Sequence, residues 1–473
     1  MTLSETVFKQ RFLKDIRFWI VFFFVIRLFA ITNPPLEVAH NWRQTTVTMV
    51  ARNFYEVSPD ILYPRVDIAG EKSGITGMEF PFLNYLIYLV SQVFGYTHWY
   101  GRLINLVISS LGIFYFFRLV KKYFDENIAF YGSIVLLSSI WFAYSRKIMP
   151  DTFSMSLTLM GFYFGTNYLE GKSKQIVNLV LYFVLTLIGV ISKLPSGFIL
   201  VLFLLFFADK EISFKSKIIF AVTSALMLVP IVYWYFAWVP YLVERYGFWH
   251  FFMGKGFVEG FNEICQHLND TLAHFYDAAL KYIGFAMIVF GIYKSVVDKN
   301  KTLLYVLLFS FLTFLVIIFK SGFTFAHHTY YIIPFVPVMA LLCGYGITMI
   351  VNQKARLLII VAIVLEGILN QQHDFFLKDK EQAILSLEST MDKYSDRKDL
   401  VVINSDEYPT PMYFSHHKGW LASNSQMMDD AFMDDIKIKG CKFAIVLKRS
   451  FGTDVKLKYK IIFENESYTL YQL

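Results

Sequence analysis

Long runs of apolar residues dominate the first 371 positions and are separated by short polar connectors. An α-helix crosses the hydrocarbon core of a bilayer with roughly 20 mainly apolar residues. The pattern predicts about eleven membrane-spanning helices, and an odd number puts the two termini on opposite sides of the membrane. The predicted spans lie near residues 17–33, 101–119, 127–145, 152–169, 175–192, 196–208, 217–238, 279–294, 302–319, 329–350 and 355–371.

Three stretches are too long or too polar to be simple connectors: 34–100, 239–278 and 372–473. Within the first, apolar residues recur at helical spacing and predict an amphipathic helix over 41–57: Val47, Val50, Ala51 and Phe54. Residues 80–94 are apolar but short for a span, so we expect a helix that lies in the interface or packs on the bundle.

The tail has a different pattern, with short apolar runs bounded by polar residues. Strands are predicted at 399–404 and 442–448, a hairpin at 459–463 and 467–472, and helices near 380–394 and 425–438. These elements predict a small α/β domain, 372–473, after a membrane domain, 1–371, that carries outer helices in 34–100 and 239–278. The tail has no Gly-rich phosphate loop, which favours a lid or support over a nucleotide site.

Composition agrees with a mainly α, polytopic helical bundle. The chain is 56% hydrophobic and 19% aromatic but only 17% charged, whereas soluble proteins are about a quarter charged. The three cysteines are too few and too scattered for a disulfide framework or a thiolate metal site. The N-terminal segment is charged and precedes a full-length apolar run, which is typical of a signal anchor.

Lys and Arg predict the orientation. The N-terminus and alternate loops hold 17 of these residues, whereas the three short loops on the other side hold four. Because basic residues accumulate in cytoplasmic loops, the N-terminus is predicted inside and the C-terminus outside. All three long stretches then lie outside. The net charge of +7 is explained by these loops and does not indicate nucleic-acid binding.

Three segments at the outer short loops are candidates for chemistry, because each puts a cation or imidazole near a proline: 144–151, 192–197 and 326–334. Ionisable groups near membrane depth are costly and usually functional. Arg146, Lys193 and His328 could converge on a phosphate or pyrophosphate, with Asp151 orienting one cation. Snorkelling to the interface is the alternative for any one of them.

A polar, aromatic and cationic cluster, His40-Asn41-Trp42-Arg43-Gln44, follows the first predicted span. Loops placed in this way on a membrane scaffold often carry function. The alternative is an interfacial helix that Trp42 and Arg43 merely anchor. Glu79 stands before the apolar helix at 80–94, where it is either a functional carboxylate or a simple cap.

The ordered motifs of residues 1–350 resemble the GT-C superfamily of membrane glycosyltransferases. They are most similar to the bacterial branch related to protein O-mannosyltransferases and the lipid A aminoarabinose transferase. The matching segments are His-Asn-Trp-Arg-Gln-Thr (40–45), Ala-Arg-Asn-Phe-Tyr (51–55), Leu-Tyr-Pro-Arg-Val-Asp (62–67), Met-Glu-Phe-Pro (78–81), Ser-Arg-Lys-Ile-Met-Pro-Asp (145–151), Ser-Lys-Leu-Pro (192–195) and His-His-Thr-Tyr-Tyr-Ile-Ile-Pro (327–334).

This resemblance implies a polyprenyl-phosphate-linked sugar donor and an acidic residue of the first outer loop as base or acceptor-positioning group. The family's usual Asp-Glu pair is absent here; Glu37 is the nearest carboxylate, His40 takes roughly the expected place, and Glu79 is the other candidate. The expected reaction is an inverting transfer. Donor-phosphate contacts are expected from the cations and one tyrosine: Arg43, Arg146, Lys193, His328 and Tyr331. Trp42, Gln44 and Asp151 are expected to support them.

Two other functions share parts of this pattern. A flippase or other transporter usually has duplicated halves, and no internal repeat is evident. An O-antigen ligase or polymerase uses the same donor class. The sugar, the acceptor (lipid, glycan or protein) and any divalent cofactor are open, because no His/carboxylate spacing demands a metal. Composition and resemblance indicate a bacterial plasma membrane, with the active site facing the periplasm or outside.

Overall fold

Helices make up most of the computed structural model, which describes residues 12–248, 254–448 and 455–473. The chain divides into two units. The first unit comprises the described parts of 1–31, 102–235 and 252–373, and the second comprises those of 32–101, 236–251 and 374–473. Segments 32–101 and 236–251 thus cluster with the tail, whereas the sequence pattern places them in the membrane domain.

The first unit is built from α-helices joined by short turns. Its helices are Ile16–Arg27, Tyr100–Tyr123, Glu126–Ser138, Trp141–Tyr144, Pro150–Leu169, Gln175–Ser192, Phe203–Ala208, Phe214–Tyr233, Phe257–Gln266, Leu268–Ala273, Lys281–Val297, Lys301–Ser321, Phe323–His327, Val336–Thr348 and Gln353–Gln371. Turns of 3₁₀ helix occupy Leu194–Leu202, Thr329–Ile332 and Gln372–Phe375. Turns of π-helix occupy Trp234–Trp238 and His274–Ala279.

Five of the described helices are long and apolar enough to cross a membrane: Tyr100–Tyr123, Gln175–Ser192, Phe214–Tyr246, Lys301–Ser321 and Gln353–Phe375. A sixth candidate is the pair Leu268–Ala279 and Lys281–Val297, which is bent by 96°. Three shorter apolar helices accompany them: Phe82–Phe94, Leu194–Ala208 and Val336–Thr348. The prediction of eleven full spans is therefore not confirmed, and the orientation remains a prediction.

Several predicted spans differ from the observed helices because the helices are interrupted. The helix Glu126–Ser138 has Ser139 as its C-cap, and the next helical turn starts at Trp141. At this break the Ile140 amide donates to the carbonyl of Ala279, 2.9 Å away. Irregular backbone is tolerated at membrane depth when the protein itself supplies its hydrogen bonds. Hydropathy registers only the apolar side chains and so joins such pieces into one span.

The second unit contains a five-stranded mixed sheet with order β2-β1-β3-β5-β4. Its strands are β1 (Leu400–Ile403), β2 (Lys418–Leu421), β3 (Cys441–Leu447), β4 (Lys460–Glu464) and β5 (Tyr468–Gln472). β1 pairs in parallel with β2 and β3, whereas β5 is antiparallel to β3 and β4. The predicted tail strands and hairpin are confirmed; β2, a short edge strand, was not predicted.

Helices cover both faces of this sheet. The helices of the second unit are Asn41–Glu56, Phe82–Phe94, Val239–Tyr246, Asp379–Gln382, Leu387–Tyr394, Thr410–Ser415, Asn424–Met428 and Asp430–Ile438, with a 3₁₀ turn at Ala383–Ser386. On one face of the sheet, Val401 and Ile445 pack against Val50 and Phe54 of the helix Asn41–Glu56. The central strands therefore lack a polar face, as expected when both faces are covered.

The predicted amphipathic helix at 41–57 is confirmed as Asn41–Glu56. All four residues of its apolar stripe are buried: Val47, Val50, Ala51 and Phe54. The predicted helix at 80–94 is confirmed as Phe82–Phe94, with Pro81 at its N-cap. The close pairing of β2 with β1 requires glycine at position 419, because a Cβ there would lie 1.7 Å from the carbonyl oxygen of Val401.

Candidate active site

In the first unit, an antiparallel helix pair positions two of the predicted residues. Close approach between Pro150–Leu169 and Gln175–Ser192 needs glycine, because a Cβ at Gly161 would lie 2.1 Å from Thr186 Oγ1. This register puts the start of one helix beside the end of the other. As a result, Lys193 Nζ lies 3.7 Å from Asp151 Oδ1. Both side chains are nearly buried, which strengthens their attraction.

The 3₁₀ turn Thr329–Ile332 supplies aromatic neighbours for this lysine. Lys193 Nζ lies 5.6 Å from the ring centroid of Tyr330 and 5.5 Å from that of Tyr331. The His328 ring stacks on Tyr330 with a centroid distance of 5.3 Å. Ring faces attract cations. The structure thus brings Asp151, Lys193, His328 and Tyr331 together, and it adds Tyr330, which the sequence analysis did not select.

Arg146 lies in the turn that precedes Pro150–Leu169. Its side chain is buried, and Nη2 donates to the carbonyl of Ala30 at 2.9 Å. The amide of Asn105 holds the same turn by donating to the carbonyls of Tyr144 (3.1 Å) and Lys147 (2.8 Å). The Tyr144 hydroxyl also lies 3.3 Å from Thr329 Oγ1. These bonds connect the turn of Arg146 to that of Tyr331.

Two further buried arginines donate to carbonyls near the C-terminal end of the helix Ile16–Arg27. Arg27 Nε donates to the carbonyl of Phe23 at 3.0 Å, and Arg27 Nη1 donates to Ser145 Oγ. Arg102 Nη1 donates to the carbonyl of Ile31 at 3.2 Å. With Arg146, three buried guanidinium groups converge on residues 23–31. Arg27 could have been found from sequence, because it is a cation inside a predicted span.

A polar cavity of about 350 Å³ adjoins the 3₁₀ turn. Its wall includes Asp270, His274, Asp277, His327 and Thr329. The sequence analysis did not link Asp270, His274 and Asp277 with His327, which lies about 50 positions further along the chain. The described residues contain no group of three or more His, Cys, Asp or Glu side chains arranged to hold a metal ion.

In the second unit, the helix Asn41–Glu56 carries the cluster that the sequence singled out. Two successive residues before it, Ala39 (φ 61°) and His40 (φ 58°), adopt left-handed backbone. Such strain tends to occur at functional sites. Arg43 forms a buried ion pair with Glu79. The cation predicted to bind phosphate and a candidate base are therefore partners of each other.

The remaining predicted residues of the second unit are also buried. Glu37 is fully buried and forms an isolated β-bridge with Leu377. Gln44 is fully buried, and Trp42 is half-buried at the start of the helix. The carbonyl of Trp42 accepts hydrogen bonds from the hydroxyls of Thr45 (3.0 Å) and Thr46 (2.8 Å). Burial of both carboxylates, Glu37 and Glu79, is consistent with functional use as well as with structural use.

A second buried ion pair lies at the other end of the same helix. Arg52 Nη2 contacts Asp67 Oδ2 at 2.9 Å, and the amide of Asn53 donates to Asp67 Oδ1 at 2.8 Å. Burial disfavours the charge on Arg52, but Asp67 outweighs this effect and raises the pKa of Arg52. Both partners belong to motifs of the family resemblance, 51–55 and 62–67, to which the sequence analysis gave no role.

Comparison with known proteins gives a partial family match and a fold. A family model described as dolichyl-phosphate-mannose-protein mannosyltransferase matches residues 79–235, about a third of the chain. No curated protein sequence matches significantly. The structure resembles ArnT from Cupriavidus metallidurans bound to undecaprenyl phosphate (TM-score 0.61, 12% identity), covering 96% of this chain and 98% of that chain.

Two archaeal structures have the same architecture. The Archaeoglobus fulgidus oligosaccharyltransferase in complex with Zn and sulfate matches with a TM-score of 0.59 at 12% identity, over 90% of this chain and 67% of that chain. The oligosaccharyltransferase AglB of the same organism, in complex with an inhibitory peptide and a dolichol-phosphate, matches with a TM-score of 0.56 at 12% identity, over 91% and 70%.

The fold is the one seen in ArnT and in the archaeal oligosaccharyltransferase, and residues 79–235 match a mannosyltransferase family model. Both findings support the resemblance to GT-C superfamily glycosyltransferases noted from the motifs.

Proposed function

We propose that this chain transfers a sugar from a polyprenyl-phosphate donor to an acceptor on the non-cytoplasmic face of the membrane. The observation that carries the proposal is the cluster around Lys193 in a fold shared with a structure that holds undecaprenyl phosphate. The predicted charge bias, with basic loops on the opposite side, supports the orientation. The composition and the family resemblance together support a bacterial plasma membrane.

The donor phosphate is assigned to the cations of the first unit. Lys193 is held by Asp151 and by two tyrosine rings, so its ammonium group is ordered before a ligand arrives. Fixed donors of this kind stabilise charge that develops in a transition state, because they need no reorganisation. Arg146 adds a planar guanidinium, which suits phosphate oxygens. His328 and Tyr331 complete the set as hydrogen-bonding groups.

The reaction balances as an inverting substitution. An acceptor oxygen or nitrogen forms a bond to the anomeric carbon while the bond from that carbon to the phosphate oxygen breaks. Polyprenyl phosphate leaves, and the acceptor proton passes to a carboxylate. Glu79 and Glu37 are the candidate bases. His40, three residues after Glu37 in the chain, is the other candidate catalytic residue. Glu79 forms a buried ion pair with Arg43, which fixes the position of its carboxylate.

The test is transfer of radiolabel from a polyprenyl-phosphate sugar to membrane lipids, glycans or proteins, assayed in membranes that contain each variant. Lys193→Gln should lower the rate by roughly 10²–10³-fold, the usual cost of one such donor. Replacing both Glu37 and Glu79 by Gln should abolish transfer. Lys320→Gln is the matched control, because this exposed lysine has no assigned role.

Three results would count against the proposal. Full activity of Lys193→Gln, with expression equal to the control, would remove the phosphate assignment. Label that crosses the membrane without joining an acceptor would indicate a transporter. Use of a pyrophosphate-linked donor alone would indicate a ligase or polymerase.

A further inference from the structure

A basic cavity lies at the other predicted face of the first unit, where the charge bias places the cytoplasm. It has a volume of about 700 Å³. Five of its lining side chains are cations, and no acidic side chain of the described residues lines it: Arg118, Lys121, Lys122, Lys172 and Lys174. They come from the end of Tyr100–Tyr123 and from the turn before Gln175–Ser192.

Carboxylates neutralise only part of this charge. Lys121 pairs with Glu126 at 2.6 Å, and Lys122 pairs with Glu170 at 2.7 Å. Arg118 instead donates to the neutral hydroxyl of Tyr163 at 2.6 Å.

Neither Lys172 nor Lys174 forms an ion pair among the described residues, and the same is true of Arg118. Five cations and two carboxylate pairs leave the cavity with about three uncompensated positive charges.

Apolar side chains adjoin the cations of the cavity and continue along one helix. Phe164 and Val177 line the cavity beside the cations. Tyr115 packs on Phe164 with a centroid distance of 5.4 Å. Beyond Val177, the exposed face of Gln175–Ser192 presents Val180 (51% exposed) and Val184 (41%) at helical spacing. Anionic ligands with an apolar tail fit such a surface better than soluble anions do.

We propose that this cavity binds the headgroup of an anionic phospholipid, with an acyl chain along Val177, Val180 and Val184. The proposal is independent of the donor site, because it uses other residues. Basic pockets between membrane helices on the cytoplasmic side are suited to such headgroups. Phosphate is the shared chemistry, so a soluble phosphate is the competing source of the ligand.

The test is native mass spectrometry of the detergent-solubilised full chain with added phosphatidylglycerol, phosphatidylethanolamine or inorganic phosphate. The variant replaces Arg118, Lys172 and Lys174 by Gln. The matched control replaces Lys210, Lys215 and Lys301 by Gln, which removes the same charge from other predicted cytoplasmic segments. Each cation near an anionic lipid contributes roughly fivefold to binding, so the variant should bind phosphatidylglycerol about a hundredfold more weakly than the control.

Retention of phosphatidylglycerol by the wild type and the control, with loss in the variant, supports the site. Equal binding by all three proteins overturns it, and so does equal binding of zwitterionic phosphatidylethanolamine. Displacement of the lipid by millimolar inorganic phosphate would assign the cavity to a soluble anion instead. If the variant does not fold, the wild type alone decides: binding that does not weaken with rising salt contradicts an electrostatic site.

Discussion

The buried pair Arg52–Asp67 gives the sharpest test of how the second unit is held together. In Asp67→Asn, the Arg52 side chain, 5% exposed, loses its counterion but keeps its bond to the Tyr413 carbonyl at 2.9 Å. Removing one partner of a buried pair costs about 3–5 kcal/mol. We expect about 3 kcal/mol, because the Asp67 side chain is 12% exposed and asparagine retains one acceptor oxygen.

Hydrogen exchange of the purified chain, followed by mass spectrometry, measures this effect locally. A loss of about 3 kcal/mol should reduce the protection of residues 410–421 roughly a hundredfold. Lys442→Gln is the control, since it breaks a pair with Asp399 in which the lysine side chain is 63% exposed. Exposed pairs contribute about 0–1 kcal/mol, so its effect should stay below roughly fivefold.

A double variant separates the charge from the packing. Arg52→Met with Asp67→Leu leaves no buried charge unpaired, and it should recover most of the protection. If Asp67→Asn changes exchange no more than Lys442→Gln does, the pair does not hold this region. If the double variant exchanges as fast as the single variant, shape rather than charge is responsible.

Two further predictions concern pH and helix packing. Burial opposes protonation of His416, but bonds to Glu388 (2.7 Å) and Glu56 outweigh it and raise its pKa; the His416 ring in turn lowers the pKa of Glu388 to about 2. The stabilisation that His416 contributes should be complete below about pH 6.5. It should fall as pH rises through the pKa that His416 has in the folded protein. Exchange measurements should detect this loss, and it should be absent in His416→Gln. Separately, Gly161→Ala should lower thermal stability and transfer. Gly197→Ala should change both less, because its Cβ would lie 3.2 Å from a methyl of Val190, whereas a Cβ at Gly161 would lie 2.1 Å from Thr186 Oγ1.

Local elements were predictable where one face of the chain is buried against a regular neighbour. The helix at 41–57 was recognisable because its stripe residues, including Val50 and Phe54, all pack inward. The tail strands were recognisable for a similar reason, since apolar runs lie between turn residues. The edge strand Lys418–Leu421 was not, because Lys418 and Gly419 lack strand character and its pairing depends on contact with β1.

The site was predictable only as separate pieces. Lys193 and Asp151 were selected from different loops, but their contact depends on the register that Gly161 and Gly189 permit. Such a register is a tertiary property that no local pattern encodes. The ion pair of Arg43 with Glu79 was missed for the same reason, since each residue was assigned a role without its partner. The order of the motifs along the chain indicated the fold, whereas the contacts between residues of different motifs became evident only in the structure.

The burial of Arg27 argues that stability alone did not select this residue. Its hydrogen bonds to the Phe23 carbonyl and to Ser145 Oγ satisfy N–H groups, but no ion pair among the described residues neutralises its buried charge, whose transfer from water is costly. A hydrophobic residue at Arg27 would avoid that cost and lose two hydrogen bonds, each worth about 1 kcal/mol. If an anionic ligand supplies the missing charge, Arg27→Met should remain as thermally stable as the wild type yet lose transfer activity. Activity that merely follows the folded fraction, in melting and transfer assays on the same preparation, would show that Arg27 serves the fold alone.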